Sequence, residues 1–114
     1  MLKIALFGYG RIGQMHAKNI SNNRNFELKY VYDKDFKLAL KSKKKYHNQV
    51  IKNYKTALKD KSIKIIFIAS STSTHIKFIE EAISFNKIVF CEKPLDLNLI
   101  KVKKSIKKLK NKIA

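Results

Sequence analysis

The sequence predicts an α/β domain, a parallel sheet of about five strands with helices on both faces. Three observations carry this reading. Short apolar runs alternate with stretches of helical periodicity along all 114 residues, the pattern of parallel strands joined by crossover helices. One run, residues 63–69, is nearly continuous in apolar and β-branched side chains, as a central strand covered on both faces requires. The first run ends in a glycine-rich turn that leads directly into a helical pattern.

The first strand covers residues 2–7, and residues 8–13 turn into a helix whose apolar side is expected to carry Ile12, Met15 and Ile20. A second strand, 27–32, ends at Asp33. Asp35 is placed to cap a second helix reaching residue 45, because a short carboxylate ahead of an apolar-periodic segment accepts an amide of the first turn. A short third strand at 49–52 and a short helix at 55–60 follow. The strand at 63–69 runs into Ser70-Ser71-Thr72-Ser73-Thr74, where Thr72 or Ser73 suits the cap of a helix carrying Ile76, Ile79 and Ile83 up to residue 85. Residues 87–91 make the fifth strand. Asp96 then caps a last helix with Leu99, Val102, Ile106, Leu109 and Ile113 at intervals of three and four, after which a sixth strand would be due.

This length suits one domain, residues 1–114, with a single core. Hydrophobic content of 45% with three Gly and one Pro excludes a disordered chain. No apolar run approaches the roughly 18 residues of a membrane span, and the apolar start is too short for a signal peptide. A cytoplasmic location is therefore expected. Cys91 is the single cysteine, which excludes an intramolecular disulfide and a zinc site with several thiolates, and no metal site is expected. Its apolar neighbours Ile88, Val89 and Phe90 predict a buried thiol.

A formal charge of +18 raises nucleic acid or another polyanion as a partner. Of the 26 basic residues, however, all but Arg11 and Arg24 are lysine, and arginine is the preferred reader of bases. The lysines fall mostly on polar faces of expected helices, as in Lys41, Lys43, Lys44 and Lys45, or Lys103, Lys104, Lys107 and Lys108. Solvated helix faces account for the charge better, and nucleic acid is not an expected partner.

Gly8-Tyr9-Gly10-Arg11-Ile12-Gly13 is a G-x-G-x-x-G sequence between a strand and a helix, and it contains all three glycines of the chain. Gly8 permits the tight turn, Gly10 lets the backbone approach a pyrophosphate, and Gly13 lets the helix pack on the strand. Free amides and the helix dipole favour the anion. Asp33, at the end of the second strand and 20 residues past Gly13, is placed to accept hydrogen bonds from ribose hydroxyls. Its charge opposes a 2′-phosphate, so NAD is the expected cofactor. Lys34 beside it softens that preference and leaves NADP as the alternative.

Four stretches together resemble the Gfo/Idh/MocA oxidoreductases: GYGRIGQMHAKNI, VYDKD, IASSTSTH and FCEKPLDLN. The first, third and fourth look most like the inositol 2-dehydrogenase branch. The resemblance implies a Rossmann-type nucleotide-binding domain and a dehydrogenase acting on a hydroxyl of a sugar or polyol, with myo-inositol as one candidate. It implies that Arg11 and Ile12 join the glycines at the cofactor, and that Ser70, Ser71, Thr72 and Thr74 line its adenosine side. It further implies that Glu92, Lys93 and Pro94 form the loop at the nicotinamide, with Lys93 as the catalytic cation beside the substrate hydroxyl. As plain helix caps the hydroxyl residues would look the same. His16 and His75 match family histidines, but each lies within a helical pattern and is read as packed rather than catalytic.

Members of that family run about three times longer, adding a mostly antiparallel β-sheet domain that binds substrate and supplies an Asp-x-x-x-His general base. Nothing here corresponds to it, so the expectation is a cofactor domain whose substrate domain lies elsewhere, supplied by a partner chain or further sequence. Two other readings stay open: a non-catalytic dinucleotide-binding regulator, for which Lys93 is dispensable, and a polyanion-binding basic protein, whose affinity falls steeply with salt.

Overall fold

The computed structural model describes residues 1–91, except the side chain of Thr72. In order the elements are β1 (Leu2–Phe7), α1 (Arg11–Ser21), β2 (Phe26–Tyr32), α2 (Phe36–Tyr46), β3 (Gln49–Ile51), α3 (Lys55–Lys59), β4 (Ile63–Ile68), α4 (Thr72–Ser84) and β5 (Ile88–Cys91). The sheet order is β3-β2-β1-β4-β5 with every pair parallel. The expected α/β class and five-strand parallel sheet are what forms. The last helix, with its cap at Asp96, lies outside the described residues.

Alternation along β1 divides the core in two. Ala5 and Phe7 join Ala57 and Leu58 of α3 and Phe78, Ile79 and Ala82 of α4 on one face. Ile4 and Leu6 join Ala17 and Ile20 of α1 and Ala39 of α2 on the other. Connections that run from β1 to β2 in one direction and from β3 over to β4 in the other place their helices on opposite faces, since each crossover is right-handed.

Two expectations about packing need correction. Ile12 and Met15 of α1 are 50% and 52% exposed, and the buried positions are Gly13, Ala17 and Ile20. A methyl at Gly13 would collide with the Gly8 carbonyl, so the side-chain-free position must face the sheet. At about 100° per residue Ile12 is then turned away from it. Cys91 is half-buried rather than buried, because β5 is the edge of the described sheet. On the α1 face of β5, Ile88 and Phe90 are 54% and 52% exposed. Phe90 stacks on Phe67 at 6.1 Å, and Phe67 in turn meets the His16 ring at 4.4 Å.

A polar network ties the end of the sheet where β4 and β5 begin. Asp60 accepts hydrogen bonds from Lys29 Nζ at 2.6 Å, the Tyr30 hydroxyl at 2.7 Å and both the amide and hydroxyl of Ser62. The Lys29 ammonium, then the Ser62 and Tyr30 hydroxyls, hold the Asp60 carboxyl well below its ordinary range. Lys87 Nζ donates to the Asp60 and Ile63 carbonyls, each at 2.8 Å, and burial lowers its pKa. The lysines read as solvated on α2 (Lys41, Lys43, Lys44 and Lys45) are exposed. Among the described residues, no helix is long and apolar enough to cross a membrane, and no cluster of His, Cys, Asp and Glu could hold a metal ion.

Candidate cofactor site

At the other end of the sheet the strands β2, β1 and β4 finish side by side, where successive connections depart in opposite directions. Such a switch point leaves a crevice beyond the strand ends. Here it is a cavity of about 310 Å³ lined by Gly8, Gly10, Tyr32, Asp33, Lys34, Ala69, Ser70, Ser71, Thr74 and Phe78.

The glycine loop builds one wall, and each glycine answers a different constraint. Gly8 has φ +104°, and a Cβ on it would lie 2.5 Å from Ala69 C and Ser70 N. The loop passes so close to the β4 exit that only glycine fits. Its N–H donates to Tyr32 O at 2.7 Å, and Ala69 N–H donates to Phe7 O at 2.7 Å, so the three strand exits are joined. Gly10 is the opposite case: nothing lies within 4 Å of an added Cβ. Glycine there is not demanded by protein packing, and the open space is what a diphosphate would occupy. Gly10 is also the N-cap of α1, with no side-chain cap and no acidic residue in the first turn. First-turn amides therefore point outward without a partner from their own helix, a cradle for an anion.

Asp33 builds the second wall. Its Oδ2 accepts the Tyr9 amide at 2.6 Å and its Oδ1 accepts the Asp35 amide at 2.8 Å. A carboxylate has about four lone-pair positions, so two donors leave room for ribose hydroxyls. Asp35 caps α2 as expected, accepting Leu38 N–H at 3.2 Å. Tyr9 itself points away from the cavity into the α1-side core, 2% exposed, where burial and then the Tyr46 phenol raise its pKa.

The third wall is the start of α4. Its N-cap is Ser71, not Thr72 or Ser73, and the serine makes no side-chain cap bond. The hydroxyls bond to one another and to the backbone instead. Thr74 Oγ1 donates to Ser71 O at 2.7 Å and so accepts from Ser70 Oγ, also at 2.7 Å. Ser71 and Ser73 hydroxyls lie 3.2 Å apart. His75 is 2% exposed with Nε2 on Ser70 O at 2.6 Å, a packed histidine that fixes the turn.

Of the expected cofactor residues, the fold thus gathers Gly8, Gly10, Asp33, Lys34, Ser70, Ser71 and Thr74 around one cavity. Gly13 lies beneath the loop as a packing residue, and Arg11 and Ile12 are exposed on the first turn of α1, outside the cavity lining. The side chain of Thr72 and the triplet Glu92, Lys93 and Pro94 lie outside those described. Tyr32, Ala69 and Phe78 were not anticipated. The signal for Phe78 was its spacing, one helical turn after Thr74.

Residues 2–113 match the family described as an oxidoreductase family with an NAD-binding Rossmann fold. The myo-inositol 2-dehydrogenase of Thermotoga maritima is 31% identical over 110 residues, covering 96% of this chain and 33% of that protein. A solved structure of a putative myo-inositol dehydrogenase from Sinorhizobium meliloti superposes with a TM-score of 0.94 at 31% identity, over 100% of this chain and 34% of that one. The myo-inositol dehydrogenase of Lactobacillus casei, solved with NAD(H) and myo-inositol, gives 0.92 at 26% identity over 99% and 34%. The chain spans about a third of the length of the relatives it matches.

Proposed function

The chain belongs to the Gfo/Idh/MocA oxidoreductase family, as its NAD-binding Rossmann domain, and from this premise we propose that it holds the cofactor for oxidation of a sugar or polyol hydroxyl. The observation that carries the reading is the single cavity joining the open space over Gly10 to the doubly anchored Asp33 carboxylate. Myo-inositol is the first substrate to test, since the relatives include inositol dehydrogenases.

The nicotinamide ring, when bound, is the hydride acceptor. The chain's own residues position it. First-turn amides of α1 hold the diphosphate, Asp33 holds the adenosine ribose, and the α4 turn closes the adenosine side. Negative charge at Asp33 disfavours a 2′-phosphate, which makes NAD the preferred form. Lys93, two residues past the end of β5, is the proposed catalytic cation, stabilising negative charge on the substrate oxygen as its proton leaves.

A substrate-binding portion, in continuous sequence or on a partner chain, completes the site and supplies the general base. The half-exposed Ile88 and Phe90 beside α1 are the apolar surface such a portion would cover. Without it the 114-residue chain binds cofactor and turns over slowly, as general acid-base catalysis contributes roughly 10²- to 10⁴-fold.

Calorimetric titration with NAD and NADP tests the cofactor half of the proposal, with saturable NAD binding and weaker NADP binding expected. For the chemistry, NADH formation from myo-inositol is followed after adding the substrate portion of a relative. Lys93→Met should then keep NAD affinity and abolish turnover. Full turnover in Lys93→Met would discard the lysine's catalytic role, and NAD binding without turnover in the parent would favour the non-catalytic regulator instead.

A further inference from the structure

The two edges of the sheet differ in charge. β3 forms one edge and β5 the other, and the chain continues from β5. The β3 side is built by residues 36–59, which make α2, β3 and α3 and hold eight lysines with no Asp or Glu. The other described residues, 1–35 and 60–91, hold ten basic and six acidic side chains. All eight lysines are exposed, and among the described residues none of them is in an ion pair. Nearby acids are spent elsewhere: Asp35 caps α2, Asp60 is enclosed by Lys29, Tyr30 and Ser62, and Glu81 accepts the Tyr54 hydroxyl at 2.9 Å.

α2 carries its charge on one stripe. Ala39 and Ser42 are its buried residues, and at about 100° per residue Lys37, Lys41 and Lys44 stand on the opposite side. Like charges three and four residues apart repel. Lys37 also lies in the first turn, where the helix dipole disfavours a cation and no acid offsets it. α3 packs on the other face of the sheet and adds Lys55 and Lys59, so the basic side spans all three layers. A polyanion laid against it would relieve this repulsion.

The neighbours of the lysines select among polyanions. Leu40 is the one exposed large hydrophobic of the segment, at 41%. Phe36, Tyr46 and Tyr54 are half-buried. The Lys52 ammonium covers Phe36 at 4.9 Å, and Tyr54 is packed with Phe7, Tyr32 and Phe78 in an aromatic cluster. A protein partner is anchored by aromatic and apolar hot spots, an anionic membrane by inserted apolar side chains, and a single strand by rings that stack on its bases. Neutralising a row of duplex phosphates, with release of their counterions, needs cations alone. The segment contains no arginine, so base edges would go unread.

We propose that the β3 side docks duplex nucleic acid along its phosphate backbone, independently of sequence. Along the linear chain these lysines read as solvated helix faces, and only the fold collects eight of them on one side free of acids. None of residues 36–59 lines the cofactor cavity, so this docking is independent of the dinucleotide reading.

The test is fluorescence anisotropy of a labelled DNA duplex of about 20 base pairs, titrated with the 114-residue chain over a range of salt. Affinity should fall steeply with salt, and duplexes of unrelated sequence should agree within about threefold. The triple variant Lys37→Glu, Lys41→Glu, Lys44→Glu should bind about tenfold or more weakly near 0.1 M salt, with a salt slope shallower by about three. Its circular dichroism and its NAD titration should match the parent. Lys18→Glu, Lys64→Glu, Lys77→Glu changes the net charge equally at exposed positions outside the segment and should lose less than about threefold. Equal losses in the two triple variants overturn the proposal, since diffuse charge then does the binding. So does absence of duplex binding near 0.1 M salt. Polyglutamate or phosphatidylserine vesicles displacing the duplex better, charge for charge, than unlabelled duplex also overturn it, in favour of an acidic protein or a membrane. Failure of the parent to bind NAD sinks the cofactor reading alone.

Discussion

The amide of Tyr9 donates to Asp33 Oδ2 across 2.6 Å, linking residues 24 apart in sequence. One bond thereby ties the glycine-loop wall of the cavity to the Asp33 wall. Asp33→Ala removes both this tie and the proposed ribose acceptor. NAD affinity should fall about tenfold or more, the worth of one to two charge-assisted hydrogen bonds. Asp33→Asn keeps an oxygen for the Tyr9 amide but loses the charge, so NADP should gain on NAD. An unchanged NAD titration for Asp33→Ala would sink the ribose assignment.

The glycines separate binding from folding. A methyl at Gly10 meets nothing of the protein, so Gly10→Ala should fold with parental stability and lose dinucleotide affinity. Gly13 is inside α1, where alanine normally stabilises by about 1 kcal/mol. Here the methyl would strike the Gly8 carbonyl, and Gly13→Ala should destabilise by about 1–3 kcal/mol instead. Denaturant midpoints for the two variants, read beside their NAD titrations, check the contrast.

At alkaline pH the aromatic cluster is the weak point. Burial, then the Glu81 carboxylate, push the Tyr54 phenol from 10.0 up to about 12. The folded chain holds this proton more tightly than the unfolded one. Its contribution to stability is therefore whole below pH 10 and is lost as pH rises through about 12. Thermal midpoints of the parent should drop across that window, and Tyr54→Phe should show a shallower drop. Tyrosinate absorbance in the parent should reveal a late-titrating phenol that the variant lacks.

Acid has the opposite sign at Asp60. Its folded pKa lies below the ordinary 3.8, so the unfolded chain takes up the proton first. The stability it contributes is present above that value and fades as pH falls from there toward the folded pKa. Asp60→Asn should lower the thermal midpoint at neutral pH and flatten the acid limb below about pH 4. An acid limb as steep as the parent's would place the responsible carboxylate elsewhere.

A half-exposed edge and a closed core respond differently to truncation. Phe90 is 52% exposed and Phe7 is fully buried between β1 and α4. In the chain alone Phe90→Ser should cost less than about 1 kcal/mol, whereas Phe7→Ala should cost about 3–5 kcal/mol. A large loss for Phe90→Ser, measured by denaturant unfolding, would mean that the strip is already covered.

Strand identity, the parallel class, the α2 cap at Asp35 and the glycine loop with its acid were legible in the sequence, because each depends on neighbours within one element or one turn. Periodicity failed at Ile12 and Met15, where hydropathy alone chose the apolar residues. Close approach of α1 to Gly8 chose Gly13 instead and rotated the helix accordingly. Nor does the polar run Ser70 to Thr74 reveal in sequence which hydroxyls are spent on one another. The linear chain determined which chemistry was available at the strand ends. Packing of β1 between β2 and β4 decided which groups meet there, with Tyr32 and Phe78 joining Asp33, because steric contact between elements distant in sequence sets the cavity wall.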